Sequence, residues 1–298
     1  MRVAISGSSG LVGRALVRSL AAEGHEVLRL ARRAARERDE VLWDPEQGFV
    51  DTKALCGVDA VVHLAGASIA GGRWTAARKE LLRSSRVGPT ELLAQALARL
   101  EPRPRVLVSA SALGYYGDRG DAWLGESDPP GDDFLGRLVV DWEQACAPAR
   151  AAGIRVVNPR LGVVMSAAGG ALGRMLLPFR LGLGGALGPG TQYMSWIAID
   201  DVVGVIRHLL LYESLSGGVN AATPQPVTNG ELTRTLARVL RRPAVARVPA
   251  FALRLALGEA ADALLGSTRM RPQKLADSGF RFRFPDLEPA LRHVLGRP

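Results

Sequence analysis

RVAISGSSGLVG, residues 2–13, joins a short apolar run, a turn of glycine and serine, and the start of an amphipathic pattern. Arg2 to Ser6 has the length and composition of a buried strand. Beyond the turn, apolar residues recur at Leu11, Ala15, Leu16 and Leu20, which form one face of a helix. Three glycines in seven residues also occur in ordinary loops, so it is the order strand, loop, helix that gives them meaning. Gly7 then permits the tight turn, Gly10 lets backbone N–H groups approach a pyrophosphate, and Gly13 lets the helix pack closely on the strand. The expectation is a dinucleotide site with its anion at the helix N-terminus.

Working outward, Gly24 stops the helix and Glu26 to Ala31 reads as a second strand ending in Arg32-Arg33. An acidic residue at that strand end would bond an adenosine ribose 2′-hydroxyl, whereas an arginine pairs with a 2′-phosphate. Arg32 is therefore the lead residue for a preference for NADP(H), with Arg33 beside it. The competing reading is a solvated basic loop running on through Arg36 and Arg38.

A third strand is expected over Asp59 to Leu64 and a fourth over Arg105 to Ser109, both nearly continuous apolar runs of the kind found in parallel sheets covered on two faces. Helical patterns fall at Thr75–Ser85, Val87–Leu100 and Leu135–Ala152, followed by a strand over Arg155–Arg160. This alternation predicts an α/β fold, a doubly wound parallel Rossmann sheet with a smaller, mostly helical C-terminal substrate lobe. Ligands on such sheets bind beyond the carboxyl ends of the strands, where Ala65-Gly66, Ser109-Ala110-Ser111 and Arg160-Leu161-Gly162 fall. The nucleotide-binding domain is expected over 1–165 plus about 195–225, and the lobe and a C-terminal appendix over 166–194 and 226–298. Within these, a helix is expected over Leu172–Leu183, Trp196 to Ile199 should return to the sheet, and Asp200-Asp201 should cap a helix over Val202–Glu213.

Bulk properties exclude several classes. The 298 residues are 47% hydrophobic and 22% charged, ordinary for a globular chain, and the 34 glycines suit many tight turns. The formal charge of +9 suggests nucleic acid, but the arginines are scattered among Ala and Leu rather than clustered in a stripe, so no nucleic-acid partner is expected. No run approaches a membrane span and no leader pattern precedes the first strand, so a cytoplasmic protein with no membrane partner is expected. Cys56 and Cys146 lack metal-ligand spacing, so no metal is expected and both read as buried thiols.

Longer segments carry a family likeness: GSSGLVG, DAVVHLAGASI, RWTAARKELLRSSRV, SASALGYYGD, GDDFLGRLVVDWE, NPRLGVVMS and LPFRLGLGGALGPGTQYMSWIAIDD. Across nearly its whole length the chain resembles the extended short-chain dehydrogenase/reductases, in particular atypical epimerase-family oxidoreductases with a short C-terminal appendix. The resemblance implies NADP(H) contacts at Gly7, Ser8, Ser9, Gly10, Leu11, Val12, Arg32, Arg33, Leu64, Ala65 and Arg86, and on the helix carrying Val139. Gly66 and Ser109 join that set as strand-end residues.

Members of the wider superfamily use a Tyr and a Lys four residues later. On a helix these share a face, and the ammonium lowers the phenol pKa and bonds the cofactor ribose. Counting back from Glu143 places Leu135 at the Tyr position and Val139 at the Lys position, so this pair is missing. Ser111 and Tyr116 are the remaining candidates for proton transfer or substrate orientation, against a reading in which Ser111 caps a turn and the tyrosines pack. His63, inside an apolar strand, reads as a buried imidazole rather than a catalyst. The resulting expectation is an NADP(H)-dependent oxidoreductase or epimerase for a small polar substrate, possible as a homodimer. The alternative is an NADP(H)-binding regulator or assembly factor with little or no turnover.

Overall fold

A computed structural model describes residues 1–32 and 37–297. Among these, a nine-stranded sheet runs Gly217–Ala221, Arg155–Leu161, Val106–Ser109, Ala60–His63, Arg2–Ser6, Glu26–Ala31 and Glu40–Asp44, all parallel, with Phe49–Val50 antiparallel at the far edge. Ser111–Ala112 adds a short ladder on Arg155–Leu161. From Arg2–Ser6 the chain first steps towards Glu26–Ala31 and Glu40–Asp44, then returns to add Ala60–His63 on the other side. The order therefore reverses between Arg2–Ser6 and Ala60–His63, which places a crevice beyond their carboxyl ends.

The strands are apolar because both faces are covered. On one face Val3, Ile5, Val62 and Val108 meet Leu16 and Leu20 of helix Leu11–Ala22 and Val202, Ile206 and Leu209 of helix Ile199–Leu211. On the other, Ala4, Val61 and Leu107 meet Leu93 and Leu97 of helix Val87–Ala98 and Ala149 of the short helix Ala147–Ala151. Leu16 is fully buried, and a leucine so placed contributes about 1.5–3 kcal/mol. A further cluster joins Leu172 and Phe179, Leu232 and Leu236, and Leu287 and Leu291 from helices Gly170–Arg180, Asn229–Leu240 and Leu287–Val294.

Several details differ from the sequence expectations. The strand Glu40–Asp44 and its hairpin partner were not anticipated; Val41 and Trp43 are buried, but the apolar run is short and follows the charged segment 36–40. The helix expected over Leu135–Ala152 is two, Phe134–Gln144 and Ala147–Ala151. Pro148 opens the second, since a residue without an N–H suits a helix start and not its interior. Trp196–Ala198 does not return to the large sheet but pairs in parallel with Val163–Met165. Asp200 and Asp201 lie inside the first turn of helix Ile199–Leu211, after the N-cap Ala198. Buried Asp201 spends its carboxylate on the backbone N–H groups of Arg283 and Phe284, at 2.7 and 3.0 Å, tying the C-terminal segment to the sheet domain. Cys146 is buried as expected, whereas Cys56 is exposed.

Candidate functional site

The glycine loop is built so that side chains cannot enter it. Gly7 has φ +66°, a left-handed conformation that glycine adopts without strain, and a Cβ there would stand 2.7 Å from the carbonyl carbon of Leu64. A Cβ on Gly10 would lie 3.1 Å from the Gly7 carbonyl oxygen, and one on Gly13 would run into that same oxygen. Gly10 donates its N–H to Gly7 at 2.9 Å and caps helix Leu11–Ala22 without a side-chain acceptor, and the first turn holds no acid. The free N–H groups and the dipole of that turn suit an anion. Ser9 and Gly10 are exposed and Gly7, Ser8, Leu11 and Val12 partly so, leaving this surface open to a ligand.

Arg32 is exposed and immediately follows the strand Glu26–Ala31, on one flank of the loop. Arg33 lies outside the described residues. Arg29, one turn of pleat earlier, binds Asp39 through two nitrogens at 2.7 and 2.8 Å and Glu37 at 2.7 Å, so these acids are neutralised locally and hold the segment after the basic residues. On the other flank, Leu64, Ala65 and Gly66 leave the strand Ala60–His63 with Leu64 and Ala65 partly exposed and Gly66 exposed. Arg86 reaches this point from the N-cap of helix Val87–Ala98, and its guanidinium lies under Gly66, donating to the carbonyls of Leu82 at 3.0 Å and Ala67 at 2.8 Å. Burial, and secondarily the charge of Arg78, push its pKa down to about 10.

His63 sits beneath the crevice. Its Nδ1 is 2.7 Å from the Ser6 hydroxyl, Trp43 meets its ring edge-on, and burial pushes its pKa down to about 4. The ring is neutral and structural, as the sequence indicated.

Around the strand Val106–Ser109 and the turn that follows it, several of the expected side chains are enclosed. Ser109 is fully buried and Val139 is 2% exposed, so neither side chain offers surface to a cofactor. Tyr116 is also fully buried. Its hydroxyl donates to Asn220 at 2.7 Å and lies 2.9 Å from the Gly125 carbonyl, while Arg160 donates to it at 3.0 Å. Burial raises its pKa to about 12 despite Arg160. A phenol so enclosed is a packing and hydrogen-bonding group, not a proton donor to a substrate. Tyr115, partly exposed, is the other phenol of the turn, with the Arg160 guanidinium 3.3 Å above its ring. Ser111 donates to Glu143 at 2.6 Å, and Glu143 is held by Arg160 at 2.9 and 3.0 Å.

This Ser111–Glu143–Arg160 cluster was missed as a unit. Its members are 32 and 17 residues apart, and they meet because Ser111–Ala112 pairs with Arg160–Leu161 and helix Phe134–Gln144 packs beside that pair. The helix Phe134–Gln144 buries Leu138, Val139 and Trp142, and Leu135 rests against Gly114, 3.1 Å from where a Cβ would be. No Tyr and Lys face the site from this helix. A separate polar cleft of about 540 Å³ is lined by Asp121, Thr191, Tyr193, Thr228, Arg234 and Arg247 among others. It shares no residue with the glycine loop or the Ser111–Tyr116 turn. Among the described residues, no group of acids, histidines and cysteines is arranged to hold a metal, and no helix is long and apolar enough to cross a membrane.

Comparison with known proteins agrees with this geometry. An epimerase family protein of Mycobacterium bovis is 46% identical over 99% of this chain and 98% of its own length. The human epimerase family protein SDR39U1, crystallised with NADPH, superposes with a TM-score of 0.92 at 35% identity, covering 99% of both chains. A nucleoside-diphosphate sugar epimerase from Corynebacterium glutamicum gives 0.83 at 38% identity, covering 99% of this chain and 58% of that one. A domain of unknown function, DUF1731, matches residues 248–294. With residues 3–221 matching the family as well, the chain belongs to the NAD dependent epimerase/dehydratase family.

Proposed function

We propose that this protein is an NADP(H)-dependent oxidoreductase or epimerase acting on a small polar substrate. The observation that carries the reading is the cradle at Gly7, Gly10 and Gly13, which a Cβ at any of the three would crowd, set at the point where the strand order reverses. The residues fit a dinucleotide: an uncapped helix N-terminus for the diphosphate, Leu64 to Gly66 as the opposite wall, Arg86 behind it, and Arg32 for a 2′-phosphate. That the human relative is crystallised with NADPH supports the choice of cofactor.

In such a site NADP(H) supplies reversible hydride transfer. The chain's own part is position and electrostatics. Glu143, fixed by Arg160, accepts the hydrogen bond of the buried Ser111 hydroxyl and so holds the turn that presents Tyr115. Tyr115 presents the accessible phenol of the same turn. The test is oxidation of NADPH by purified protein across a panel of carbonyl compounds and sugar nucleotides. Turnover well above the cofactor's background decay with one substrate class supports the reading; none across the panel counts against it.

The second reading, an NADP(H)-binding regulator or assembly factor, is favoured by one observation: Leu135 and Val139 leave the helix Phe134–Gln144 without a proton-transfer group. A change in oligomeric state or partner binding on adding NADPH, without turnover, would support it.

A further inference from the structure

The loop after the strand Ala60–His63 is held in an unusual way. Four successive carbonyls, those of Ala67, Ser68, Ile69 and Ala70, each receive a side-chain N–H: from Arg86, Arg78, the Trp74 indole and Arg174 respectively. Two of these donors, Arg78 of helix Ala76–Ser84 and Arg86, take adjacent carbonyls, and they are near enough for each to feel the other's charge. Among the described residues neither pairs with a carboxylate: Arg86 donates to the carbonyls of Leu82 and Ala67 and the Ser85 hydroxyl and lies 5.2 Å from the centre of the Trp142 ring, and the Arg78 side chain donates to the Ser68 carbonyl. The Nε of Arg78 is enclosed with no acceptor at all. The repulsion is felt, since Arg78 helps to push the Arg86 pKa down to about 10.

Two half-withdrawn like charges with no counter-charge are unfavourable unless something else supplies one. Gly66 lets Arg86 lie against the backbone at the strand end, and Gly71 does the same for the Arg78 guanidinium, which would collide with a Cβ there. The pair is therefore built in, and the loop carbonyls hold it in place before any ligand arrives. Its position names the ligand. Leu64 and Ala65, which lead into this loop, wall the Gly7 turn, so the pair stands across the crevice from the uncapped helix N-terminus. Arg32, at the end of Glu26–Ala31, lies on the opposite flank, where a 2′-phosphate is read.

We infer that Arg78 and Arg86 form a second, cationic wall of the cofactor site and bind the diphosphate bridge, opposite the backbone N–H groups of the glycine loop. Two guanidiniums match the two charges of that bridge and supply the charge-assisted donors that the neutral backbone does not. This rests on the cofactor reading above and adds to it a residue, Arg78, and a division of labour: Arg32 for the 2′-phosphate, the pair for the group common to NADPH and NADH.

The experiment is calorimetric titration of wild type, Arg78→Gln and Arg78→Lys with NADPH, NADH and 2′-AMP, which lacks the bridge, together with thermal melting in inorganic pyrophosphate. Melting without ligand checks that each variant folds. Arg78→Gln is expected to weaken NADPH and NADH by the same factor, about tenfold or more, to leave 2′-AMP unchanged, and to be partly rescued by Arg78→Lys. Unchanged affinity for both dinucleotides, or a loss confined to NADPH or shared by 2′-AMP, overturns the inference. If wild type binds neither dinucleotide, the cofactor reading fails, and the pyrophosphate arm then decides the anion site alone: an upward shift in melting temperature that Arg78→Gln lacks supports it, and no shift in wild type overturns it.

Discussion

Arg160 grips Glu143 through two parallel hydrogen bonds, Nε to Oε1 at 2.9 Å and Nη2 to Oε2 at 3.0 Å, with both side chains largely withdrawn from water. Removing one member of such a pair strands the other charge. Glu143→Ala should therefore destabilise the fold by about 3–5 kcal/mol in urea unfolding, and Arg160→Met on top of it should restore part of the loss. A cost under about 1 kcal/mol would mean that the guanidinium finds water or another partner.

The two tyrosines of the turn should separate stability from function. Tyr116→Phe leaves Asn220 and Arg160 without their hydroxyl partner and should cost about 1–3 kcal/mol of stability with cofactor affinity unchanged. Tyr115→Phe should leave stability nearly untouched and lower turnover of any substrate identified. Loss of turnover in folded Tyr116→Phe, with Tyr115→Phe fully active, would reverse the assignment.

Burial holds the folded-state pKa of His63 at about 4, below its ordinary value of 6.5. The neutral ring is favoured in the fold, so its contribution is fully present above about pH 6.5 and is lost as pH falls towards 4. The loss amounts to roughly 3 kcal/mol. Denaturant unfolding across pH 4–7 should show this slope in wild type and a shallower one in His63→Gln. Parallel curves would rule out His63 as the titrating group.

At Gly13 a methyl group would press on the Gly7 carbonyl oxygen, a backbone atom that cannot swing aside. Gly13→Ala should cost about 1–3 kcal/mol of stability and weaken NADPH at least about tenfold. Wild-type affinity in a folded Gly13→Ala protein would show that the loop tolerates what its geometry forbids.

Much of this was legible in the sequence because it is local. The glycine spacing, the apolar strands and the departure at Leu135 and Val139 can be read within a dozen residues, and the structure shows the physical reason for each glycine. What escaped depends on distance. Arg160 reaches Glu143 and Tyr116 only once separate strands and a helix meet, so the serine and tyrosine hydroxyls looked equally available from sequence. Ser109 is enclosed because both faces of its strand are covered, and the sequence does not show how far along the strand that cover extends. Trp196–Ala198 was assigned to the large sheet on composition, which cannot tell one parallel partner from another. Arg78 looked like any other arginine on a charged helix until its carbonyl partner and missing counter-ion were visible.

Arg32→Asp replaces an attraction for a 2′-phosphate with a repulsion. It should weaken NADPH at least about tenfold while changing NADH little, as measured by competition against a fluorescent nucleotide. Equal losses for both cofactors would remove Arg32 as the discriminating residue.

The most direct test of the cofactor site is calorimetric titration of the unmodified protein with NADPH and with NADH. Saturable one-to-one binding of NADPH, tighter than that of NADH, is the predicted result. No binding of either dinucleotide would contradict the central claim, because the glycine cradle would then be packing without a ligand.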